Sequence, residues 1–94
     1  MDTELEKIRY DIDQIDDQIA ALFVKRMSLV KNIAKQKQQN SLPIQNISRE
    51  QKILSRITKD MPNPTATYLK TLFTAIFEIS CLSQQHFLES TSKP

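Results

Sequence analysis

Arg26 sits where a hydrophobic residue belongs. Leu5, Ile8, Ile12, Ile15, Ile19 and Leu22 recur in alternating steps of three and four, a helical seam with heptad spacing, and its next position is Arg26. A charge on a buried stripe is costly unless it is paired or serves a ligand. Lys37 stands eleven residues further on. Eleven helical steps of about 100° return to within roughly 20° of the same face, so both cations look inward along one line about 16 Å apart, with Val30 and Ile33 between them. Two long cationic side chains at that separation can converge on one small anion.

A second element breaks its pattern in a matching way. The face formed by Leu69, Phe73 and Ile76 continues to Ser80 and Gln84, two neutral hydrogen-bonding residues at i, i+4. Arg49 and Glu50 stand side by side in the first turn of a further helix, whose N-terminal dipole also favours an anion. Each of these has a plainer reading taken singly. Arg26 can snorkel, Lys37 can complement a helix C-terminus, and Arg49–Glu50 can be a solvated pair. Ser80 can be a small core residue and Gln84 a link to a neighbouring helix. Taken together they read as one cationic, hydrogen-bonding, mostly buried pocket. The set holds no nucleophile–base pair and no cluster of metal ligands, which excludes the common hydrolytic and metal chemistries. His86 is alone near a helix end and reads as surface, and Cys81 reads as packing.

Three helices must carry these residues. The first is predicted from Thr3, where "TELE" offers a capping box to Glu6, to about Gln38, where "QNSLP" ends it at Pro43. The second is predicted from a Ser48 cap, with Gln51 closing a capping box, to about Lys59, with Ile53, Leu54 and Ile57 inward. "DMPNP" is the next break. The third is predicted from about Thr65 to Phe87, and residues 90–94 read as a frayed tail. The whole chain of 94 residues reads as a single all-α domain. It lacks glycine altogether, so P-loops, Rossmann turns and tight hairpins are disfavoured.

Composition narrows the partners. Net charge is only +2 with basic and acidic residues intermixed, which gives no nucleic-acid stripe and no polybasic membrane patch. No apolar run approaches membrane-spanning length. The N-terminal "MDTELEK" has neither a basic nor an apolar secretory region, and the single cysteine suits a reducing compartment, so the expected location is the cytoplasm. The first helix, some 36 residues and roughly 54 Å long, overhangs any globule this chain can build, whose radius of gyration would be about 13 Å. Its apolar seam needs a cover. An antiparallel or intertwined second copy is the simplest one, so an obligate homodimer is expected.

At this point the chain also resembles a known family. "IRYDIDQIDDQIAALFVKRMSLVKNIAKQK", then "LPIQNISREQKIL", then "LFTAIFEISCLSQQ" is similar in order, spacing and polar residues to the all-helical class of chorismate mutase, over about Leu5 to Phe87. The resemblance implies three helices per chain, intertwined in a homodimer with two shared sites, and no cofactor or metal. It implies site residues at Arg9, Arg26, Lys37, Arg49, Glu50, Ser80 and Gln84. Asn46 stands where many members carry aspartate, three residues before Arg49. Arg9 would read as a surface charge on the sequence alone. It lies about 42 Å from Lys37 along one helix, so a role in a site with Lys37 requires the partner chain.

The implied reaction is the Claisen rearrangement of chorismate to prephenate in aromatic amino acid biosynthesis. On that reading Arg26 and the partner's Arg9 hold two carboxylates, with Ser80 and Arg49 supporting one of them. Lys37 and Gln84 donate to the ether oxygen, and Glu50, with Lys37 and the Asn46 region, binds the ring hydroxyl. An isochorismate-pyruvate lyase and a mutase of 4-amino-4-deoxychorismate remain alternatives on the same fold. A non-catalytic helical dimerisation module is the alternative of another class, though such a module gains nothing from Arg26 on a seam.

Overall fold

A computed structural model describes residues 3–92, and within them the chain forms three helices: α1 (Thr3–Gln39), α2 (Ile47–Ile57) and α3 (Thr65–Ser92). No proline falls inside α1, and its first turn carries Glu4 and Glu6 while its last carries Lys37, each matched to the helix dipole. The chain must then reverse without a glycine. Ser41 supplies the left-handed residue, with φ 55°. The amide of Leu42 bonds to the Lys37 carbonyl at 2.8 Å and that of Ser41 to the Gln38 carbonyl at 3.4 Å, the paired bonds of a Schellman ending. This ending fixes the direction in which the chain leaves Lys37.

The start of α2 differs from the sequence expectation. Its cap is Asn46, not Ser48: the Asn46 side-chain oxygen accepts the Arg49 amide at 3.0 Å, and its carbonyl accepts the Glu50 amide at 3.0 Å. Asn46 has extended backbone, with φ −127° and ψ 91°, as a capping residue requires. The physical reason is that asparagine caps as well as serine and lies earlier, so two more residues of backbone, about half a turn, join the helix. Ser48 and Gln51 are helical residues within α2 rather than the two ends of a capping box. The far end of α3 differs too. The helix continues through Ser92 where a frayed tail over 90–94 was expected; positions 93 and 94 lie outside the described residues.

α3 is the shared support. α1 and α2 each pack against it. The core of the described chain is small: Val30, Ala34, Ile53, Ala66 and Phe77 are its buried apolar residues, and Ser80 and Gln84 are buried beside them. Phe73 meets Phe77 edge-to-face, with ring centroids 6.1 Å apart. The molecule measures 60 × 32 × 14 Å with a radius of gyration of 17.4 Å, well above the roughly 13 Å of a compact chain this long. The seam of α1 is open along this overhang, with Ile19 at 54% and Leu22 at 65% exposure.

Candidate functional site

Lys37 ties α1 to the α1–α2 loop and to α3. It projects from the last turn of α1, and its ammonium donates to the carbonyl of Ile44 in the α1–α2 loop and to Gln84 Oε1 on α3, the latter at 3.1 Å. Those two bonds leave one of its three protons uncommitted. Gln84 is 95% buried by its 5% exposure, yet its amide nitrogen is not sealed away, since no fully buried side-chain nitrogen or oxygen lacks a partner among the described residues. With Oε1 taken by a cation, the Nε2 hydrogens are what Gln84 presents to the space beside it.

Arg26 lies about three turns before Lys37 on the same helix. Its Nη1 donates to Ser80 Oγ at 2.8 Å, and its guanidinium carbon stands 6.0 Å from the centre of the Phe77 ring. Ser80 Oγ in turn donates to the Ile76 carbonyl at 2.8 Å, so its lone pair is what it offers the arginine. Burial, and then the nearby positive charge of Arg49, push the Arg26 pKa below its ordinary value. Both causes mean that the charge is held at a cost, with the neutral Ser80 hydroxyl as its hydrogen-bond partner. An incoming anion relieves that cost.

These residues line one cavity of about 270 Å³ between α1, the loop and α3, together with Asn46, Arg49 and Glu50. The structure therefore brings together seven of the eight positions expected from the sequence: Arg26, Lys37, Asn46, Arg49, Glu50, Ser80 and Gln84. Arg9 is not among them; it is exposed on the overhanging half of α1. The cavity holds three cations against one carboxylate, a balance suited to a doubly charged anion. A larger groove of about 550 Å³ lies on the other side of Glu50, Phe77 and Cys81, between α2 and α3. It has more room but is lined by Glu50 and Glu78 and by no lysine or arginine, so charge rather than size decides where an anion goes.

Three contributions were missed by sequence reasoning. The Ile44 carbonyl is a backbone group that no side-chain pattern reports. The Phe77 ring is an apolar position with no polar signal of its own, although Phe77 and Ser80 at i, i+3 share a face and both meet Arg26. Cys81 also lines the cavity, and burial, with Glu50 adding to it and Lys37 opposing, pushes its thiol above the ordinary value. That thiol stays protonated and neutral at physiological pH, a wall rather than a nucleophile. Among the described residues no group of three or more histidine, cysteine, aspartate or glutamate side chains could hold a metal ion, and no helix is long and apolar enough to cross a membrane.

Residues 8–85 match the family profile described as chorismate mutase type II. The chain belongs to that family. Among its relatives is a protein named chorismate mutase from Methanocaldococcus jannaschii, 34% identical over 90 residues that cover 94% of this chain and 91% of the relative. A protein named bifunctional chorismate mutase/prephenate dehydratase from Buchnera aphidicola subsp. Schizaphis graminum is 38% identical over 87 residues, 90% of this chain and 23% of the relative. Its Escherichia coli namesake is 31% identical over 84 residues, 87% of this chain and 22% of the relative. This chain thus spans about a quarter of the length of those bifunctional relatives. The all-helical chorismate mutase fold expected from the sequence is the fold observed, three helices with the first the longest.

Proposed function

We propose that this chain is a chorismate mutase, an isomerase that converts chorismate to prephenate. The observation that carries the reading is the Lys37–Gln84 pair at the end of a cationic cavity. A pericyclic rearrangement asks for no nucleophile and no base. It asks for a dianion held in its compact, reactive shape and for donors aimed at the oxygen that gains charge as the ether bond breaks. Lys37 keeps one proton free and Gln84 keeps its amide hydrogens free, and both sit at one point of the cavity. They are the donors to the ether oxygen. Arg26 binds one carboxylate, with Ser80 holding its guanidinium in place and Arg49 adding charge at the mouth. Glu50 accepts from the ring hydroxyl.

The second carboxylate falls to Arg9 of the partner subunit. Membership of the family supports this, as does the apolar seam next to Arg9, which stands uncovered in one chain. The protein is then a homodimer with two shared sites. Its free, half-buried Cys81 supports a reducing, cytoplasmic setting. Relatives named for both a mutase and a prephenate dehydratase support a place in aromatic amino acid biosynthesis.

The test is incubation of the purified protein with chorismate, following loss of substrate and identifying the product. Rapid appearance of prephenate supports the reading. A folded dimer that leaves chorismate untouched rejects it, and isochorismate, the 4-amino analogue and a non-catalytic dimerisation role are then tested in that order.

A further inference from the structure

We infer that Lys52 and Arg56 extend the site along the outer flank of α2, as an electrostatic approach path for its dianionic substrate. The inference rests on the chorismate mutase reading and concerns capture of the substrate rather than its rearrangement. Arg49, Lys52 and Arg56 stand at i, i+3 and i+7 on one helix, and all three are exposed. Helical steps of about 100° put Arg56 within roughly 20° of Arg49 and Lys52 within roughly 60°. The two cavities show which flank of α2 this is. Arg49 and Ile53 line the cationic cavity, whereas Ile47, Gln51 and Leu54 line the larger acidic groove. Lys52 and Arg56 therefore continue the flank that Arg49 begins, turned away from the groove, about 5 and 10 Å along the axis from Arg49.

This row of cations is held against local stability. Lys52 and Arg56 are like charges at i, i+4, which repel on a helix surface. Arg56, in the last turn, also complements the helix dipole, but Lys52 is in the middle of α2 and does not. Residues 49–59 carry Arg49, Lys52, Arg56 and Lys59 against Glu50 alone, in a chain whose net charge is only +2. Positive potential is thus concentrated beside the mouth of the cavity. At about 10 mM ionic strength the screening length is about 30 Å, so both side chains act on a dianion about 10 Å away; at about 1 M it is about 3 Å and they do not. Such attraction gathers substrate at the mouth and acts alike on bound substrate and transition state, so it lowers KM and leaves kcat alone.

The test is the salt dependence of KM for chorismate in the double variant Lys52→Gln/Arg56→Gln. At about 10 mM ionic strength its KM is expected to be about three- to tenfold above the parent's, with kcat within about twofold; at about 0.5 M the two proteins are expected to converge. Lys52→Arg/Arg56→Lys keeps both charges and is expected to keep the parental KM at both salt concentrations. Lys70→Gln removes an exposed charge from α3, ten residues before Ser80, and is expected to leave KM unchanged. If the double variant does not fold, Lys52→Gln alone carries the test, with a rise of about two- to threefold expected at low salt. A KM equal to the parent's at low salt overturns the inference, as does a rise that persists undiminished at high salt or a fall in kcat alone. An equal rise in the charge-keeping variant or in Lys70→Gln overturns it too. A parent that leaves chorismate untouched instead overturns the mutase reading and the inference with it.

Discussion

On the proposed reading Gln84 and Lys37 divide one task between a neutral and a charged donor, and this makes them separable by pH. Gln84 does not titrate. In Gln84→Glu the carboxyl can donate to the ether oxygen only while protonated, and a free glutamate has a pKa of about 4.3. The variant is expected to gain an acid optimum: activity is present below the pKa of the introduced carboxyl and falls as pH rises through it. A kcat/KM profile of the variant as flat as that of the parent would remove Gln84 from the reacting oxygen. Lys37→Ala deletes the other donor. Loss of one preorganised donor to a developing oxyanion costs roughly 10²–10³ in rate, and turnover is expected to fall by at least that much. Circular dichroism should show the fold retained, because Lys37 lies outside the buried apolar core. Near-normal turnover in a folded Lys37→Ala protein would reject the assignment.

At the scale of the helices, the cavity exists because three backbone events coincide. The Schellman ending after Gln39 turns the chain, the Ile44 carbonyl meets the Lys37 ammonium, and the Asn46 cap starts the helix that carries Arg49 and Glu50. The outer half of α1 leaves its apolar seam exposed in one chain. Arg9 rides on that half, and the distance to Lys37, about 42 Å, is far too long for one small molecule to bridge. Mixed dimers test whether the sites are shared. Arg9→Ala and Lys37→Ala chains are each expected to be inactive alone. Mixed at equal concentration and allowed to exchange, they form hybrid dimers with one intact site each, and about a quarter of parental activity is expected to return. No recovery, in a mixture shown to contain hybrids, would take Arg9 out of the partner's site.

For the whole molecule the deciding quantity is exposed apolar area. Ile8, Ile12, Ile15, Ile19 and Leu22 are about half exposed or more, and covering what remains is worth roughly 1 kcal/mol for each. The buried core of one chain is too small to forgo that. Sedimentation equilibrium of the parent is expected to give twice 10.9 kDa. Ile15→Asp, a charge in the middle of the seam, is expected to shift the mass toward one chain and to lower helix content. A parent that sediments as a stable single chain would reject the dimer.

Much of this was legible in the sequence because helices have a strict period. Seam spacing places Arg26 and Lys37 on one face before any fold is known, and the same rule sets Ser80 beside Gln84 on α3. Absence of glycine and the placing of Pro43, Pro62 and Pro64 between periodic runs gave three helices and their order. Choosing Asn46 over Ser48 as the cap was not legible, because both residues have a suitable oxygen and only the chain's path out of Ser41 decides which one starts the helix. Nor was the partner of Arg26 legible. Periodicity says that a residue faces inward but not what it faces, and the bond to Ser80 crosses 54 positions of sequence. Tertiary packing alone decided that Lys37 binds the Gln84 oxygen and leaves its amide hydrogens to the cavity. The sequence by itself determined the helices and the faces they turn inward, because those follow from local backbone geometry. The cavity was decided by tertiary structure, because its walls come from segments that only packing against α3 brings together.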